Sequence, residues 1–129
     1  MRIFNELVFN GYVTGTTDMF SEARFQDLLG LADQLSLGGY TAQVTGTNPK
    51  LTVEIQQSFD KVRWQARSTT PEISAVTLQT GPTETPVHGH DGDPASPPAF
   101  PRLAFVRLRI ALTGTSPTAQ VRIWATGRD

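Results

Sequence analysis

One short stretch, HGHDGD, contains the residues of this chain best suited to bind a metal ion. Imidazole and carboxylate groups are common ligands of zinc and other divalent cations. The candidate ligands are His88, His90, Asp91 and Asp93. Their spacing permits a metal site without specifying one, because a structural zinc site also needs further ligands at characteristic distances along the chain. We therefore predict a solvated loop here, and no metal or other cofactor.

Hydrolytic chemistry has equally little support in the sequence. Ser58, Asp60 and His88 are the residue types of a catalytic triad, but no nucleophile-elbow or oxyanion motif surrounds them. Carboxylates for glycoside hydrolysis could be drawn from Glu54, Asp60 and Glu72, yet any acidic domain offers such pairs. The chain has no cysteine, and no glycine-rich phosphate loop precedes a predicted helix. We predict that the protein is not an enzyme and has no catalytic residues.

Arginine and aromatic side chains on one face of the last strands suggest a contact surface instead. Alternation places these residues opposite the apolar positions, and arginine with aromatics is a composition typical of protein interfaces. The candidate contact residues are Phe105, Arg107, Arg109, Arg122 and Trp124. The alternative is that the arginines are only solvated on an exposed sheet.

The same three arginines raise a question of charge. If a turn lies at Gly114 to Pro117, Arg122 faces Arg109 or Arg107, and like charges opposite one another are unfavourable. Glu54, a carboxylate from another subunit, or a phosphate would relieve the repulsion. The net charge of −1 argues against nucleic acid as a partner, because nucleic-acid binding requires several uncompensated cations.

The elements that would position these residues begin with a repeated motif. VTGTNPKLTVEI starts at Val44, and LTGTSPTAQVRI starts at Leu112. In both copies apolar residues alternate with polar ones, as in a half-buried strand. Glycine, Asn or Ser, and proline in the middle are typical of turns. We therefore interpret each copy as a strand, a turn and a second strand, giving two matching hairpins.

Further strands are predicted at 2–9, 62–66 and 72–79, which gives about seven or eight strands. A sheet with one apolar face must cover that face with another layer, so we predict a mainly β, antiparallel sandwich or jelly roll. Apolar residues at helical spacing predict one short helix at about 21–35, capped by Ser21 and ended by Gly38 and Gly39. The rival reading is two strands kinked at Gly30.

The segment from Thr80 to Pro101 is rich in proline and glycine and predicts a long loop. At 129 residues the chain has the size of a single domain, 1–129. We expect the N-terminal segment and the 80–101 loop to act as intersubunit arms. No apolar run is long enough to span a bilayer, so no membrane partner is expected.

We predict a structural rather than a functional role for the stretch around Trp64. We expect Trp64 to pack on the core beside Phe59 or Val62. Ser58 and Asp60 suit a tight turn between strands, held by short bonds from side chain to backbone.

Two segments resemble small structural proteins of tailed bacteriophages. GTNPKLTVEIQQSFDKVRW is similar to a stretch in which a G-T-x-P turn leads into an alternating strand and then S-x-D-G-x-x-W, with Lys61 here in place of the glycine. FVRLRIALTGTSPTAQVRIWA is similar to the closing hairpin of the same group. Together they cover under half of the chain.

The resemblance implies a structural virion protein made in the host cytoplasm. The expected role is a decoration or cement protein on the capsid exterior, in contact with the major capsid protein or other virion proteins. A homo-oligomer, with a trimer as one option, follows by the same analogy. A tail or connector protein is one alternative. A carbohydrate-binding or host-attachment module, with Trp64, Trp124 or Tyr40 stacked on sugar, is another.

Overall fold

A computed structural model describes residues 3–32, 34–68, 70–90 and 105–128. In this part of the chain the fold is mainly antiparallel β, with one short helix, as predicted. The strands are β1 (Ile3–Thr14), β2 (Met19–Phe20), β3 (Gln34–Ser58), β4 (Gln65–Ala66), β5 (Ile73–Thr77), β6 (Thr85–His90) and β7 (Phe105–Arg128). The 3₁₀ turn Ala23–Phe25 leads into the helix α1 (Gln26–Gly30).

The long strands β3 and β7 form the frame of the molecule. They pair antiparallel along their whole length, from Gln34 opposite Arg128 to Ser58 opposite Phe105. One half of this ladder carries β1 on β7 and β6 on β3. The other half carries β2 on β7 and both β4 and β5 on β3. The sheet therefore has two halves that share two bent strands.

The two halves bury one common hydrophobic cluster, as the layers of a β-sandwich do. Leu51, Val53 and Ile55 from one half are fully buried, as are Val121 and Ile123 from the other. These are residues that the alternation assigned to the apolar face.

The buried face of β7 changes at the bend between its halves. Leu108 and Ile110, at even positions, are buried before the bend, and Val121 and Ile123, at odd positions, are buried after it. Register shifts in the β3–β7 ladder between Ala42 and Lys50 absorb the change. The bend thus turns both strands from one layer into the other.

The repeated motif forms this bend, and the predicted pair of hairpins is wrong. Neither copy folds back on itself, because each lies inside one continuous strand and the two copies pair with each other. Gly46 and Gly114 have φ of 102° and 132°, and Asn48 and Ser116 have φ of 52° and 49°. In each copy, a glycine with positive φ is followed two positions later by a left-handed residue. Together they bend the strand without ending it, as a β-bulge does.

The predicted helix exists but is shorter than expected. Helical structure covers 23–30, and Phe25 and Leu29 on it are buried where α1 packs against β7. Ser21 does not cap the helix, because its Oγ accepts a hydrogen bond from the Leu108 backbone nitrogen at 2.9 Å. Gly38 and Gly39 do not end it either, since both lie within β3.

The two segments predicted as arms are partly strands of this chain's own sheet. Ile3–Thr14 pairs with β7, and Thr85–His90 pairs with β3 within the predicted 80–101 loop. Residues 1–2 and 91–104 lie outside the described residues. The strand predicted at 62–66 is reduced to Gln65–Ala66, and that at 72–79 corresponds to β5. Within the described ranges, no helix is long and apolar enough to cross a membrane.

Candidate functional site

The five predicted contact residues all lie half-buried on β7, but the bend separates them into two groups. Phe105, Arg107 and Arg109 pair with the second half of β3, whereas Arg122 and Trp124 pair with its first half. The expectation that Arg122 faces Arg107 or Arg109 is therefore wrong. It followed from a hairpin that does not form.

Two of the arginines are neutralised by carboxylates of this chain. Arg109 Nη1 lies 2.9 Å from Asp18 Oδ2, and its Nε lies 3.3 Å from Glu54 Oε1. Glu54 was one of the predicted partners. The hydrogen bond that Arg109 donates to Asp18 raises the pKa of Arg109 most; burial opposes this, and the hydrogen bond to Glu54 adds to the rise. Arg122 forms an exposed ion pair with Glu84.

Arg107 is held in a different way. Its guanidinium carbon lies 4.0 Å from the ring centroid of Phe20 and 4.4 Å from that of Trp64. Its Nε donates a 2.8 Å hydrogen bond to Gln56 Oε1, and Gln56 Nε2 donates to Glu54 Oε1 at 2.9 Å. Burial lowers the pKa of Arg107. A cation between two aromatic faces is stabilised by the ring quadrupoles and presents its planar group in one orientation.

The turn after β3 presents two apolar side chains to solvent. Phe59 is 78% exposed and Val62 is 77% exposed. Asp60 Oδ1 accepts backbone hydrogen bonds from Val62 and Arg63, each at 2.9 Å, and Ser58 Oγ accepts one from Asp60. The backbone hydrogen bond from Arg63, and then that from Val62, lower the pKa of Asp60 to about 2. The predicted turn chemistry of Ser58 and Asp60 is confirmed.

The expected packing around Trp64 is wrong, because Phe59 and Val62 do not enter the core and Trp64 lies over Arg107 instead. Lys61 Nζ lies 4.6 Å from the ring centroid of Phe105 at the same end of the sheet. We call this surface the tip patch; it consists of Phe20, Phe59, Lys61, Val62, Trp64, Phe105 and Arg107. Phe20, Phe59 and Val62 were not among the predicted contact residues, since only the fold shows which apolar residues remain exposed.

A second surface, the aromatic groove, lies on the outer face of the other half. The rings of Tyr40 and Trp124 meet edge to face, with centroids 6.1 Å apart and planes at 87°. They flank an open cavity of about 560 Å³. Its lining residues are Asn5, Ser36, Leu37, Gly38, Gly39, Tyr40, Pro86, Val87, His88, Trp124 and Thr126.

The candidate catalytic and metal-binding residues are not brought together among the described residues. Ser58 bonds to Asp60 in its turn, whereas His88 lies on β6 in the other half. Glu72 Oε2 accepts a 2.8 Å hydrogen bond from the Ile55 backbone nitrogen. The described ranges contain no group of three His, Cys, Asp or Glu able to hold a metal. Asp91, Asp93 and the side chain of His90 lie outside the described part, so the prediction of no metal stays a prediction.

Comparisons with known proteins support the fold rather than a function. No protein-family model matches the chain, and no curated protein matches it in sequence. A chain in the structure of infectious bursal disease virus, Gt strain, matches with 14% identity and a TM-score of 0.54, over 98% of this chain and 33% of that one. This chain thus spans about a third of the length of that viral protein.

A lower similarity is found to the CBM22-1 xylan-binding domain of Paenibacillus barcinonensis Xyn10C. Identity is 9% and the TM-score is 0.48, over 95% of this chain and 94% of that domain. The infectious bursal disease virus VP2 subviral particle matches at 14% identity with a TM-score of 0.46, over 98% and 32% of the two chains. The chain is thus an antiparallel β-sandwich, a fold that it shares with a chain of the infectious bursal disease virus structure.

Proposed function

We propose that this protein is a structural component of a virion that attaches to the particle by protein contacts. The role is that of a capsid decoration or cement protein on the exterior, bound to the major capsid protein. The observation that carries the proposal is the tip patch, where the Asp60 turn holds Phe59 and Val62 in solvent. Large apolar side chains exposed together are characteristic of protein interaction sites.

The chemistry of the tip patch favours a protein partner over a nucleic acid. Aromatic and arginine side chains dominate the binding energy of protein interfaces. Arg107 is oriented in advance by Phe20 and Trp64, so less conformational entropy is lost when its guanidinium meets a carboxylate or a carbonyl. Arg109 and Arg122 already contact carboxylates of this chain, which leaves them little net charge for phosphates.

Many copies on one particle would make modest contacts sufficient. A virion repeats each binding site by symmetry, and an oligomer that engages several sites gains avidity without new contacts. A homo-oligomer, with a trimer as the form expected for cement at a threefold position, is part of the proposal. The fold, shared with a chain of a virus structure, supports a virion role by analogy of architecture.

The test is to locate the protein on purified virions with an antibody against this chain, viewed by electron microscopy. Label on heads supports the decoration role. Label on tails or at the neck supports the alternative, a tail or connector protein. Absence from virions that otherwise assemble overturns the proposal.

A matched pair of variants tests the tip patch itself. The double variant Phe59→Ser, Val62→Ser should bind particles at least about tenfold more weakly in co-sedimentation, since it removes the two most exposed apolar side chains of the patch. Tyr12→Ser is the control, because Tyr12 is also 60% exposed but lies on β1, which pairs with the other half of β7. Equal binding by the double variant and the control would contradict the role of the tip patch.

A further inference from the structure

The aromatic groove has the shape and chemistry of a sugar site, and we propose that it binds a neutral oligosaccharide. The groove is independent of the tip patch, since the two share no residue and lie on different halves of the sheet. The inference therefore does not depend on the proposed virion role. A cavity of about 560 Å³ falls within the roughly 300–1,000 Å³ of small-molecule sites.

The aromatic pair supplies a stacking surface. The C–H bonds of a pyranose ring carry small positive charge and are attracted to the negative face of an aromatic ring. The perpendicular arrangement of Tyr40 and Trp124 offers one ring face with the second ring as a side wall. Tyr40 is 42% exposed, so its ring is accessible to a ligand.

Polar side chains line the groove around the aromatic pair. Asn5, Ser36, His88 and Thr126 line the groove, and together they can donate hydrogen bonds to hydroxyl groups and accept them. Thr126 Oγ1 donates a 3.0 Å hydrogen bond to Asn5 Oδ1, which orients the amide.

The lining matches a neutral ligand rather than a charged one. No lining residue that the structure describes is an Asp, Glu, Lys or Arg. A charged ligand would lose hydration here without gaining an ionic partner. A neutral sugar instead exchanges water for hydrogen bonds and a stacked ring.

Gly38 leaves space on the floor of the groove. It lies directly between Trp124 and His88 in the sheet, as the ladder partner of both. A Cβ at Gly38 would meet only the Val87 carbonyl oxygen, at 3.8 Å, whereas a Cβ at Gly39 would overlap the Arg122 carbonyl oxygen. The backbone thus requires glycine at 39 but tolerates a side chain at 38, where it would fill the groove.

The experiment uses Trp124 as its own reporter. In a Trp64→Phe background, Trp124 is the remaining tryptophan, and its fluorescence is titrated with cellohexaose, xylohexaose, mannohexaose and maltohexaose in turn. We expect a saturable change with at least one of these sugars, confirmed by calorimetry on the wild type. Gly38→Leu should weaken that binding at least about tenfold, because it fills the space for the ring. Tyr40→Ala should do the same by removing the second wall.

The controls separate this inference from the proposed function. The Phe59→Ser, Val62→Ser variant should bind sugar like the wild type, and all variants should keep the wild-type circular dichroism spectrum. No saturable binding of any of the four sugars would overturn the inference. Sugar binding that is unchanged in both Gly38→Leu and Tyr40→Ala would also overturn it. If those two variants then bind particles more weakly, the groove is assigned to a protein partner instead.

Discussion

Thr47 and Thr115 occupy the same position in the two copies of the repeated motif, and they are ladder partners at the centre of the β3–β7 bend. On either side, Thr45 pairs with Thr118 and Lys50 with Thr113, so corresponding positions are exchanged about a local twofold axis. Two antiparallel strands that cross between layers at one point need the same bulge. This shared requirement explains why the motif occurs twice.

Alanine at Gly46 or Gly114 should destabilise the protein strongly. Both glycines have positive φ, and an added Cβ would lie 2.7 Å from the Pro117 Cα or the Asn48 oxygen, respectively. Strain and overlap together should lower the free energy of unfolding in urea by at least about 3 kcal/mol.

Gly81→Ala is the matched control for this prediction. Gly81 has φ of 127°, but nothing lies within 4 Å of an added Cβ. Only backbone strain applies, at a cost of about 1–2 kcal/mol. A Gly46→Ala variant no less stable than Gly81→Ala would show that the bend accommodates a side chain.

Arg107→Ala should lower the free energy of unfolding by about 1–2 kcal/mol, because two cation–π contacts and packed methylene groups are lost. Arg122→Ala should change it by about 0.5 kcal/mol or less, since its ion pair with Glu84 is exposed. Chemical denaturation of both variants checks the difference. Similar values for the two would argue against a structural role of the Phe20–Arg107–Trp64 stack.

The turn that carries Phe59 and Val62 should persist in acid. The pKa of Asp60 is lowered from 3.8 to about 2 in the folded state, so its contribution to stability is present above the ordinary value and is lost as the pH falls through about 2. In an NMR titration, the Val62 and Arg63 amide shifts should change with a midpoint near pH 2. Asp60→Asn should abolish that transition; a midpoint near 4 in the wild type would contradict the assignment.

Leu29→Ala and Leu31→Ala test the packing of α1. Leu29 is fully buried in the core, whereas Leu31 is 54% exposed. We expect a loss of about 2–5 kcal/mol for the first and less than about 0.5 kcal/mol for the second, measured by urea denaturation. Equal losses would mean that the helix is not held by its buried face.

Alternation was sufficient to predict the β class and the buried residues of the main strands. Val53 and Val121 lie on the apolar face in the sequence pattern and in the core, because side chains alternate between faces whatever the strand pairs with. The same local logic identified the Ser58–Asp60 turn, whose bonds span only a few residues.

The partner of each strand was decided by the tertiary structure alone. Pairing β3 with β7 joins residues far apart in the chain, and no local pattern distinguishes a hairpin turn from a bend in a strand that continues. The positions of Arg122 and Trp124, the exposure of Phe59, and the groove beside Gly38 all follow from that pairing. Sequence therefore determined which residues of the main strands are buried, and long-range packing determined which other apolar residues stay exposed and which exposed residues lie together.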